Sequence, residues 1–534
     1  MTTTGRIGRI ALGDVIARAA RTCGEEIALV DGDVRISYRA LDEESDRFAR
    51  FLLAEGLQRG DRVAMVCANT YRFVIAMFGI HKAGLVWVPI NTMLAPADIA
   101  YVAEHAEAKL ALIDAPLYAD APLRTALEAV VPRIVALPFG DEPADRRVVD
   151  FDAARAAHPA GEVDVEIGDR DLALIMYTSG TTGRPKGVMH THLSVFTAAL
   201  SNLADLPMRR GEATPLLLPM FHCATHAIML TGMLVGARGI IFRSFDPVRM
   251  MTAFERERVT FAFLLPAMWS AILDHPERAK FDLSALRLGL YAMAPISETV
   301  RRRLIAEICP NFQLSSGQTE MYPATVVFRP EEQLRRFGNY WGTSTPVDET
   351  AIMDDEGSLL ERGQVGEIVH RGPNVMEGYF KDPEATAAAR RFGWHHTGDL
   401  GLFDQDGQLL FVDRKKDLIK SGGENVASVK VEAVLLAHAA VASAGVVGVP
   451  HERWGEAVLA CVALKPGASA TEDELIAHCR ERLGGFETPK AVRILDRLPM
   501  TATGKVQKNQ LRAAHGEVFA GITPVPSSAD RAGT

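Results

Sequence analysis

The segment YTSGTTGRPKG, residues 177–187, carries two glycines and four hydroxyl side chains between residues 178 and 183, followed by Lys186. Glycines let the backbone turn so that successive N–H groups point at an anion, and the hydroxyls and the lysine add further donors. The Walker pattern ends in a Gly-Lys pair, but here the lysine follows Pro185, so that motif is absent. A polar surface turn is the alternative interpretation. The density of hydroxyls favours a phosphate-binding loop of another kind.

The sequence around this loop alternates between short apolar runs and amphipathic segments. This alternation predicts an α/β fold with layered, largely parallel sheets. The runs predicted as buried strands are residues 62–67, 84–90, 109–114, 133–138, 172–180, 238–245 and 259–267, and a helix is predicted over 40–57.

The pattern changes after residue 400. A hairpin is predicted around Asp406-Gly407, and a basic segment follows at 414–420. The roughly one hundred residues beyond it carry strand and helix signals of their own, enough for a small α+β domain. We place the domain boundary near 413–416. One continuous domain is the alternative, which the size limit on single hydrophobic cores disfavours.

The composition of the 534-residue chain is that of a globular protein without a basic surface. Its formal net charge is −9, whereas a nucleic-acid-binding protein normally has a basic face, so we expect no nucleic-acid partner. No run approaches the roughly 18 apolar residues of a membrane-spanning helix, and the N-terminal MTTTGRIGRIALGD lacks the apolar core of a signal peptide. The six cysteines show no CxxC pair and no metal-binding spacing. We therefore expect a cytoplasmic protein.

The order of residues in 177–187 resembles the signature loop of the adenylate-forming superfamily, which contains acyl-CoA synthetases, luciferases and nonribosomal-peptide adenylation domains. Further segments that are similar to motifs of this superfamily follow in the family order over most of the chain. They are PMFHCATH (219–226), LSSGQTE (314–320), GEIVHRGPNVMEGYFKDP (366–383), GWHHTGDLG (393–401), DRKKDLIKSGGENVASVKVE (413–432) and LPMTATGKVQKNQL (498–511).

The resemblance implies the domain organisation. It implies a large N-terminal adenylation domain over 1–413, with mixed sheets and a β-barrel-like subdomain, and a small mobile α+β domain over 414–516. Residues 517–534 form a small, polar, proline-containing tail, which we expect to be disordered. The segment 366–383 resembles a structural hairpin and loop, to which we assign no chemistry.

The resemblance also implies where MgATP binds. Thr178 and Glu320 are the implied Mg2+ ligands, since this hard cation prefers oxygen. Asp399 is implied to accept hydrogen bonds from both ribose hydroxyls, because an ionised carboxylate only accepts. The family usually has an aromatic residue at the position of Ser316, which would stack on the adenine. Without that ring, Ala294-Pro295 and their neighbours are expected to contact the base. The implied cofactor-binding residues are Thr178, Ser179, Gly180, Thr181, Thr182, Lys186, Ala294, Pro295, Ser315, Ser316, Gly317, Gln318, Thr319, Asp399, Arg414, Lys416, Lys420, Gly422 and Gly423.

Catalysis is assigned by the resemblance to Lys505, Thr178, Glu320 and His222. Lys505, in the C-terminal motif, is the implied adenylation lysine, and His222 is placed beside the carboxylate being activated; a buried core histidine is the alternative for His222. Lys416 takes the hinge position, and residues 420–423 form the loop that enters the active site when the small domain turns.

Two histidines in MHTH, His190 and His192, have the spacing of a metal-binding pair. No third ligand is evident in the sequence, so we interpret both as structural. A second departure from the family is Ser428, which stands where proline is frequent.

The implied activity is an AMP-forming acid–CoA ligase that uses ATP, Mg2+ and coenzyme A. The resemblance implies that a carboxylate first attacks ATP to give acyl-AMP and pyrophosphate. The small domain then rotates, and the acyl group is transferred to CoA. The alternatives are transfer to an amine or carrier protein, and a non-catalytic nucleotide-binding homologue. A homodimer is compatible with the sequence. The mostly apolar pocket candidates favour a medium-chain fatty acid or an aryl acid; they are Cys223, Ala224, Ala292, Met293, Ser315, Met321 and Tyr322.

Overall fold

The computed structural model describes residues 8–138, 148–178, 184–206, 208–292, 296–501 and 504–519. The chain divides into two compact units. The larger unit consists of Met1–Ala351 and Val369–Thr397, and the smaller of Ile352–Ile368 and Gly398–Thr534. The predicted boundary near 413–416 lies inside the smaller unit, so it stays a prediction about which residues move together.

Helices and strands alternate along the larger unit. Its helices are α1 Gly13–Cys23, α2 Tyr38–Ala54, α3 Tyr71–Lys82, α4 Pro96–His105, α5 Ala115–Ala119, α6 Ala121–Glu128, α7 Phe151–Ala156, α8 His192–Asp205, α9 Cys223–Val235, α10 Pro247–Arg256, α11 Pro266–Leu273, α12 Glu298–Glu307 and α13 Pro383–Ala389. Its strands are β1 Ile27–Asp31, β2 Val34–Ser37, β3 Arg62–Val66, β4 Val86–Pro89, β5 Ala108–Asp114, β6 Ile134–Leu137, β7 Val149–Asp150, β8 Leu172–Thr178, β9 Lys186–Thr191, β10 Ala213–Leu216, β11 Arg238–Ile241, β12 Phe261–Phe263, β13 Leu288–Tyr291, β14 Phe312–Ser316, β15 Val326–Phe328, β16 Tyr340–Ser344 and β19 Gly378–Tyr379. Strands β17 Glu349–Met353, β18 Gly366–Arg371 and β20 His395–Phe403 contain residues of both units.

The sheets of the larger unit place the predicted phosphate loop at a change of strand direction. One sheet has the order β19-β9-β8-β4-β3-β5-β6-β7, a second has the order β10-β11-β1-β2, and β12-β13-β14-β15-β16 run side by side in a third. Neighbours from β8 to β7 are parallel, whereas β9 is antiparallel to both β8 and β19. The loop joining β8 to β9 therefore follows the carboxyl end of a parallel strand, where ligands of α/β proteins commonly bind.

One predicted strand is much shorter than expected. Of residues 259–267, only β12 is a strand, and Leu265 is already the N-cap of α11. Pro266 occupies the first turn of that helix, where its fixed backbone angle is suitable and its missing N–H has no intrahelical partner. An apolar run that contains proline thus begins a helix instead of prolonging a strand.

The core of the larger unit is formed by apolar faces packed between the sheets and helices. Its largest fully buried side chains include Trp87, Phe73 and Tyr322. All six cysteines of the chain are buried and in the free thiol form. In the described part of the chain, every helix is too short or too polar to cross a membrane.

The smaller unit has the α+β character predicted for it. β20 and β21 (Leu409–Arg414) form the expected hairpin, with Gly407 at a φ of +81° in the turn. The other strands are β22 Ile419–Ser421, β23 Glu424–Val426, β24 Val441–His451, β25 Gly455–Leu464 and β26 Ala491–Ile494, and the helices are α14 Ser428–Leu436, α15 Glu472–Arg480 and α16 Lys508–His515. These five strands form one sheet, in the order β23-β22-β25-β24 with β26 beside β25. The mixed α/β class and the division into a large and a small part are confirmed, while the β-barrel-like subdomain stays a prediction.

Candidate active site

The stem of the phosphate loop is a rigid antiparallel hairpin. Thr178, the last residue of β8, stands opposite Lys186, the first residue of β9. The Tyr177 hydroxyl lies 2.8 Å from Nδ1 of His105, which ties the stem to the end of α4. Residues 179–183 lie outside the described part of the chain. The predicted loop residues Ser179, Gly180, Thr181 and Thr182, and the predicted adenine contacts Ala294 and Pro295, therefore stay predictions.

Lys186 is held by two side chains from another segment. Its ammonium nitrogen lies 3.7 Å from a carboxylate oxygen of Asp382 and 5.0 Å from the centre of the Tyr379 ring. The Lys186 side chain is 41% exposed, so these contacts orient the charge without removing it from solvent. The phosphate-binding role of Lys186 stays a prediction.

Glu320 lies in a short 3-10 turn, Thr319–Met321. Residues 374–379, which follow β18, form hydrogen bonds with this turn. The Tyr379 hydroxyl donates to Glu320 Oε1 at 3.0 Å, and the Met376 N–H donates to the Glu320 carbonyl at 2.8 Å. Asn374 Nδ2 donates to the Met321 carbonyl at 2.7 Å. Burial and the neighbouring Glu320 raise the pKa of Tyr379, so its hydroxyl stays a donor at neutral pH.

These contacts show that the segment 366–383 positions site residues, a role that we did not assign from the sequence. Tyr379 contacts both Lys186 and Glu320, although it is separated from them along the chain. The signal was present in the sequence: an aromatic residue and an acid in GYFKDP, within a segment that recurs among the family motifs.

The Glu320 carboxylate fits the role of a Mg2+ ligand. The residue is half-buried, and its Oε1 accepts a hydrogen bond from the Tyr379 hydroxyl, which orients the carboxylate. Among the described residues no group of three or more His, Cys, Asp and Glu side chains could hold a metal ion. Mg2+ usually binds to one or two carboxylates together with water and substrate phosphates. Thr178 and Glu320 are therefore suitable ligands for it.

The wall that follows β14 is shaped by close contacts. Gln318 Nε2 donates to the Thr397 carbonyl at 2.9 Å, and its Oε1 lies 3.4 Å from Nε2 of His395. A Cβ at Gly317 would come within 2.8 Å of Pro323, so only glycine fits there. The Ser316 carbonyl accepts from the Thr325 N–H at 3.0 Å. The backbone and side chains of the predicted nucleotide segment 315–319 are thus fixed by contacts with neighbouring segments.

His222 is both half-buried and the N-cap of α9. Its Nδ1 accepts from the Ala224 N–H at 3.3 Å, as an N-cap side chain does. The next residue, Cys223, places its Sγ 3.5 Å from Thr319 Oγ1. One turn further, His226 is hydrogen-bonded to the Tyr322 hydroxyl. The start of α9 therefore lies against the turn that carries Glu320.

The predicted ribose pair is adjacent within the smaller unit. Asp399 and Arg414 are opposite residues of the β20–β21 hairpin, and Arg414 Nε lies 3.3 Å from Asp399 Oδ1. Asp399 is buried, whereas Arg414 is half-exposed. The guanidinium of Arg414 and the carboxylate of Asp399 therefore form an ion pair.

The other predicted residues of the smaller unit lie in two turns. Lys420, Gly422 and Gly423 belong to the β22–β23 hairpin, where the glycines have φ values of +63° and +89°. Lys505 lies in a turn closed by the N–H of Thr501, which donates to the Lys505 carbonyl at 2.8 Å. Lys416 is exposed.

Two family models match the chain in the same order as its motifs. The AMP-binding enzyme model matches residues 16–380, and the AMP-binding enzyme C-terminal domain model matches 430–505. The chain belongs to the AMP-binding enzyme family. The adenylate-forming superfamily predicted from the motifs is thereby confirmed.

Curated relatives of this AMP-binding enzyme match along nearly their whole length. A feruloyl-CoA synthase of Amycolatopsis sp is 35% identical over 506 residues, which are 95% of this chain and 99% of the relative. The long-chain-fatty-acid–CoA ligase FadD13 of Mycobacterium tuberculosis is 34% identical, covering 90% of this chain and 93% of the relative.

Solved structures agree with the fold of this AMP-binding enzyme. ATP-bound MatB from Rhodopseudomonas palustris superposes with a TM-score of 0.85 at 28% identity, over 95% of this chain and 99% of that chain. The O-succinylbenzoate coenzyme A synthetase MenE from Bacillus subtilis, in complex with AMP, has a TM-score of 0.83 at 28% identity, over 93% and 98%.

Proposed function

We propose that this AMP-binding enzyme, an AMP-forming acid–CoA ligase that uses ATP, Mg2+ and coenzyme A, activates a carboxylic acid that has no second charged group. The acid class that we favour is a medium-chain fatty acid or an aryl acid. The observation that carries this proposal is that the described residues predicted to line the acid pocket include no Asp, Glu, Lys or Arg, while the neighbouring Glu320 is assigned to the cation. They are His222, Cys223, Ala224, Ala292, Ser315, Met321 and Tyr322.

Size as well as polarity limits the acid. Tyr322 is fully buried, its hydroxyl is hydrogen-bonded to His226, and its ring lies 5.1 Å from that of His190. We infer that a ring fixed by these neighbours limits the space left for a long acid. A second carboxylate or an ammonium group on the acid would also be buried without a partner, which is costly. Apolar monocarboxylic acids fit best.

In the first half-reaction a carboxylate oxygen attacks the α-phosphorus of ATP, and the bond to pyrophosphate breaks. Mg2+ supplies positive charge for the phosphate oxygens. Lys186 and the loop stem would orient the phosphates. Glu320 would bind the Mg2+ ion, and Gln318 would contact the nucleotide. Such preorganised charges lower the barrier because they are already in place as charge develops. His222 would orient the attacking carboxylate.

In the second half-reaction the CoA sulfur attacks the acyl carbon, AMP leaves, and the thiol proton goes to solvent. We propose that the residues after 416 rotate between the two steps, exchanging Lys505 for the 420–423 hairpin. The glycines at 422 and 423 and the exposure of Lys416 support this proposal, because a hinge is a short stretch that can absorb backbone rotation.

An amine is the alternative to CoA as the acceptor of the acyl group. An amide bond synthetase, McbA from Marinactinospora thermotolerans, has a TM-score of 0.84 at 27% identity over 94% of this chain. The alternative function is therefore acyl transfer to an amine from the same acyl-adenylate.

One assay separates these functions: pyrophosphate release from ATP across a panel of acids, with CoA, with an amine, or with neither. We expect release to require a medium-chain or aryl monocarboxylic acid and acyl-CoA to accumulate only when CoA is present. A dicarboxylic or amino acid as the best substrate would contradict the acid proposal. Amide without acyl-CoA would establish the alternative, and release of phosphate in place of pyrophosphate would contradict both.

A further inference from the structure

His190 is a fully buried histidine of β9 that contacts the turn carrying Glu320. Its Nε2 lies 2.7 Å from the carbonyl oxygen of Thr319, and its Nδ1 lies 3.3 Å from Ser194 Oγ. A carbonyl only accepts, so Nε2 carries the hydrogen. Burial lowers the pKa of His190 to about 4. The side chain is therefore neutral at physiological pH, in a single tautomer that donates to Thr319.

The Thr319 carbonyl belongs to the peptide unit that precedes Glu320. The carbonyl of Glu320 itself accepts from the Met376 N–H, and the side chain of Glu320 accepts from Tyr379. His190 thus holds the turn on the side of β9, while the segment 376–379 holds it on the side of β19. The peptide units on both sides of Glu320 have separate donors.

β9 also connects this contact to the phosphate loop. Lys186 begins the strand and His190 lies four residues later, so both side chains point to the same face of the sheet. Lys186 contacts the Tyr379 ring, and Tyr379 contacts Glu320. The strand therefore sets the positions of a cation at the loop and, through His190, of the Glu320 carboxylate.

We propose that His190 is a positioning residue for the MgATP site, which fixes the Glu320 carboxylate relative to Lys186 through its hydrogen bond to the Thr319 backbone. This inference rests on the proposed function of Glu320, and it revises the purely structural role that the sequence indicated for His190. Any buried histidine needs an acceptor for its N–H. The acceptor here is the carbonyl directly before Glu320, which is the observation that indicates a positioning role.

Three substitutions separate the hydrogen bond from the packing. In His190→Gln the side-chain nitrogen lies near the position of Nε2, whereas in His190→Asn it lies near that of Nδ1 and falls short of Thr319; His190→Leu has no donor. We expect the Mg2+ concentration for half-maximal pyrophosphate release to rise about tenfold in His190→Asn and His190→Leu, the factor typical of one lost hydrogen bond. His190→Gln should stay within about threefold of the unchanged protein, with kcat less affected than the Mg2+ requirement.

A matched control is His192→Leu. His192 is equally buried, accepts from the Leu12 N–H through Nδ1 at 3.2 Å, and has a pKa that burial lowers to about 4. This substitution should lower stability without changing the Mg2+ requirement. An equal Mg2+ shift in His192→Leu, no shift in His190→Asn, or an equal loss in His190→Gln and His190→Asn would overturn the proposal.

Titration calorimetry of ATP, with Mg2+ and without acid, gives a second readout. We expect the affinity for ATP to depend on Mg2+ less steeply in His190→Asn than in His190→Gln. This binding does not require the correct acid, so a failed acid panel leaves the role of His190 open to direct measurement. If His190→Leu does not fold, the two amide variants alone decide the matter.

Discussion

At the scale of single residues, Asp348 makes the stability of the larger unit depend on pH. Burial raises the pKa of this carboxyl from 3.8 to about 7. Its Oδ2 accepts from the Thr345 hydroxyl, while Oδ1, like Asn374 Oδ1, is buried without a hydrogen-bond partner among the described residues. Burying an ionised carboxylate with one unpartnered oxygen is costly, so the protonated form of Asp348 is favoured.

The sign of the effect follows from the direction of the shift. The folded protein holds this proton more tightly than the unfolded chain does, so the contribution to stability is complete below pH 3.8 and is lost as the pH rises through about 7. We predict that Asp348→Asn raises the thermal unfolding midpoint by several degrees more at pH 8 than at pH 5, corresponding to a difference of about 2 kcal/mol between the two pH values. Asp33→Asn, at an exposed position, is the control. An equal effect of Asp348→Asn at both pH values would contradict the prediction.

The sequence predicts candidate residues whose side chains would touch the substrates, whereas residues that would act through others could not be predicted from it. Glu320, Lys186 and Asp399 stand in short motifs whose chemistry is visible in the residues themselves. Tyr379 and His190 act on Glu320 and Thr319, which are 59 and 129 residues away. Which carbonyl a buried histidine meets is decided by tertiary packing, and no local pattern encodes that distance.

At the scale of elements, Asn69 connects the ends of several strands to the segment that precedes α9. It lies between β3 and α3, and its Oδ1 accepts from the Met220 N–H at 2.8 Å. Its Nδ2 lies within 3.3 Å of the carbonyl oxygens of residues 216, 217, 218 and 242. One buried amide thus organises the turn that leads to His222.

We predict that Asn69→Ala destabilises the larger unit by about 1–3 kcal/mol, because the two amide hydrogens and the amide oxygen of Asn69 no longer satisfy the backbone groups around them. The KM for the acid should rise more than the KM for ATP, since His222 follows the released turn. Thermal unfolding and steady-state kinetics measure the two effects. Asn311→Ala, which removes an exposed bond to the Arg287 carbonyl at 3.0 Å, should change neither. Equal changes in both KM values would show that Asn69 supports the fold alone.

The boundaries of elements were predicted less well than their type. The helix predicted over 40–57 is α2, Tyr38–Ala54, and the strand predicted over 109–114 is β5, Ala108–Asp114. The strand expected over 259–267 was wrong in its second half, where Pro266 begins α11. Apolar runs indicate burial, but turn and cap chemistry decides where burial changes from strand to helix.

At the scale of the whole molecule, the implied site residues come from both compact units. Lys186 and Glu320 belong to the larger unit, and Asp399, Arg414 and Lys505 to the smaller. In the smaller unit, Asp413 Oδ2 accepts from the Ser428 hydroxyl at 2.7 Å, and Lys508 Nζ donates to that hydroxyl at 2.6 Å. Both hydrogen bonds are made by Ser428, which stands where proline is frequent in the family. The residue before Arg414 is thereby tied to α14.

We predict that Lys505→Ala abolishes acyl-adenylate formation and leaves the conversion of supplied acyl-adenylate to acyl-CoA largely intact. The reason is that a cation beside the phosphates is needed only while charge develops on them. The two half-reactions are measured separately, by pyrophosphate release and by thioester formation. Lys465→Ala, at an exposed position of the smaller unit, should affect neither half-reaction. Equal loss of both half-reactions in Lys505→Ala would contradict this division of roles.

The pairing of β9 on both edges restricts how the length of this region can change. β8 lies on one side of β9 and β19 on the other, and successive residues of the strand point to opposite faces. An insertion of one residue between Lys186 and His190 would turn one of them away from the turn that bears Glu320. An insertion between 178 and 186 would leave both in register. Length variation among natural or engineered descendants of this chain should therefore be confined to the loop and absent from the strand.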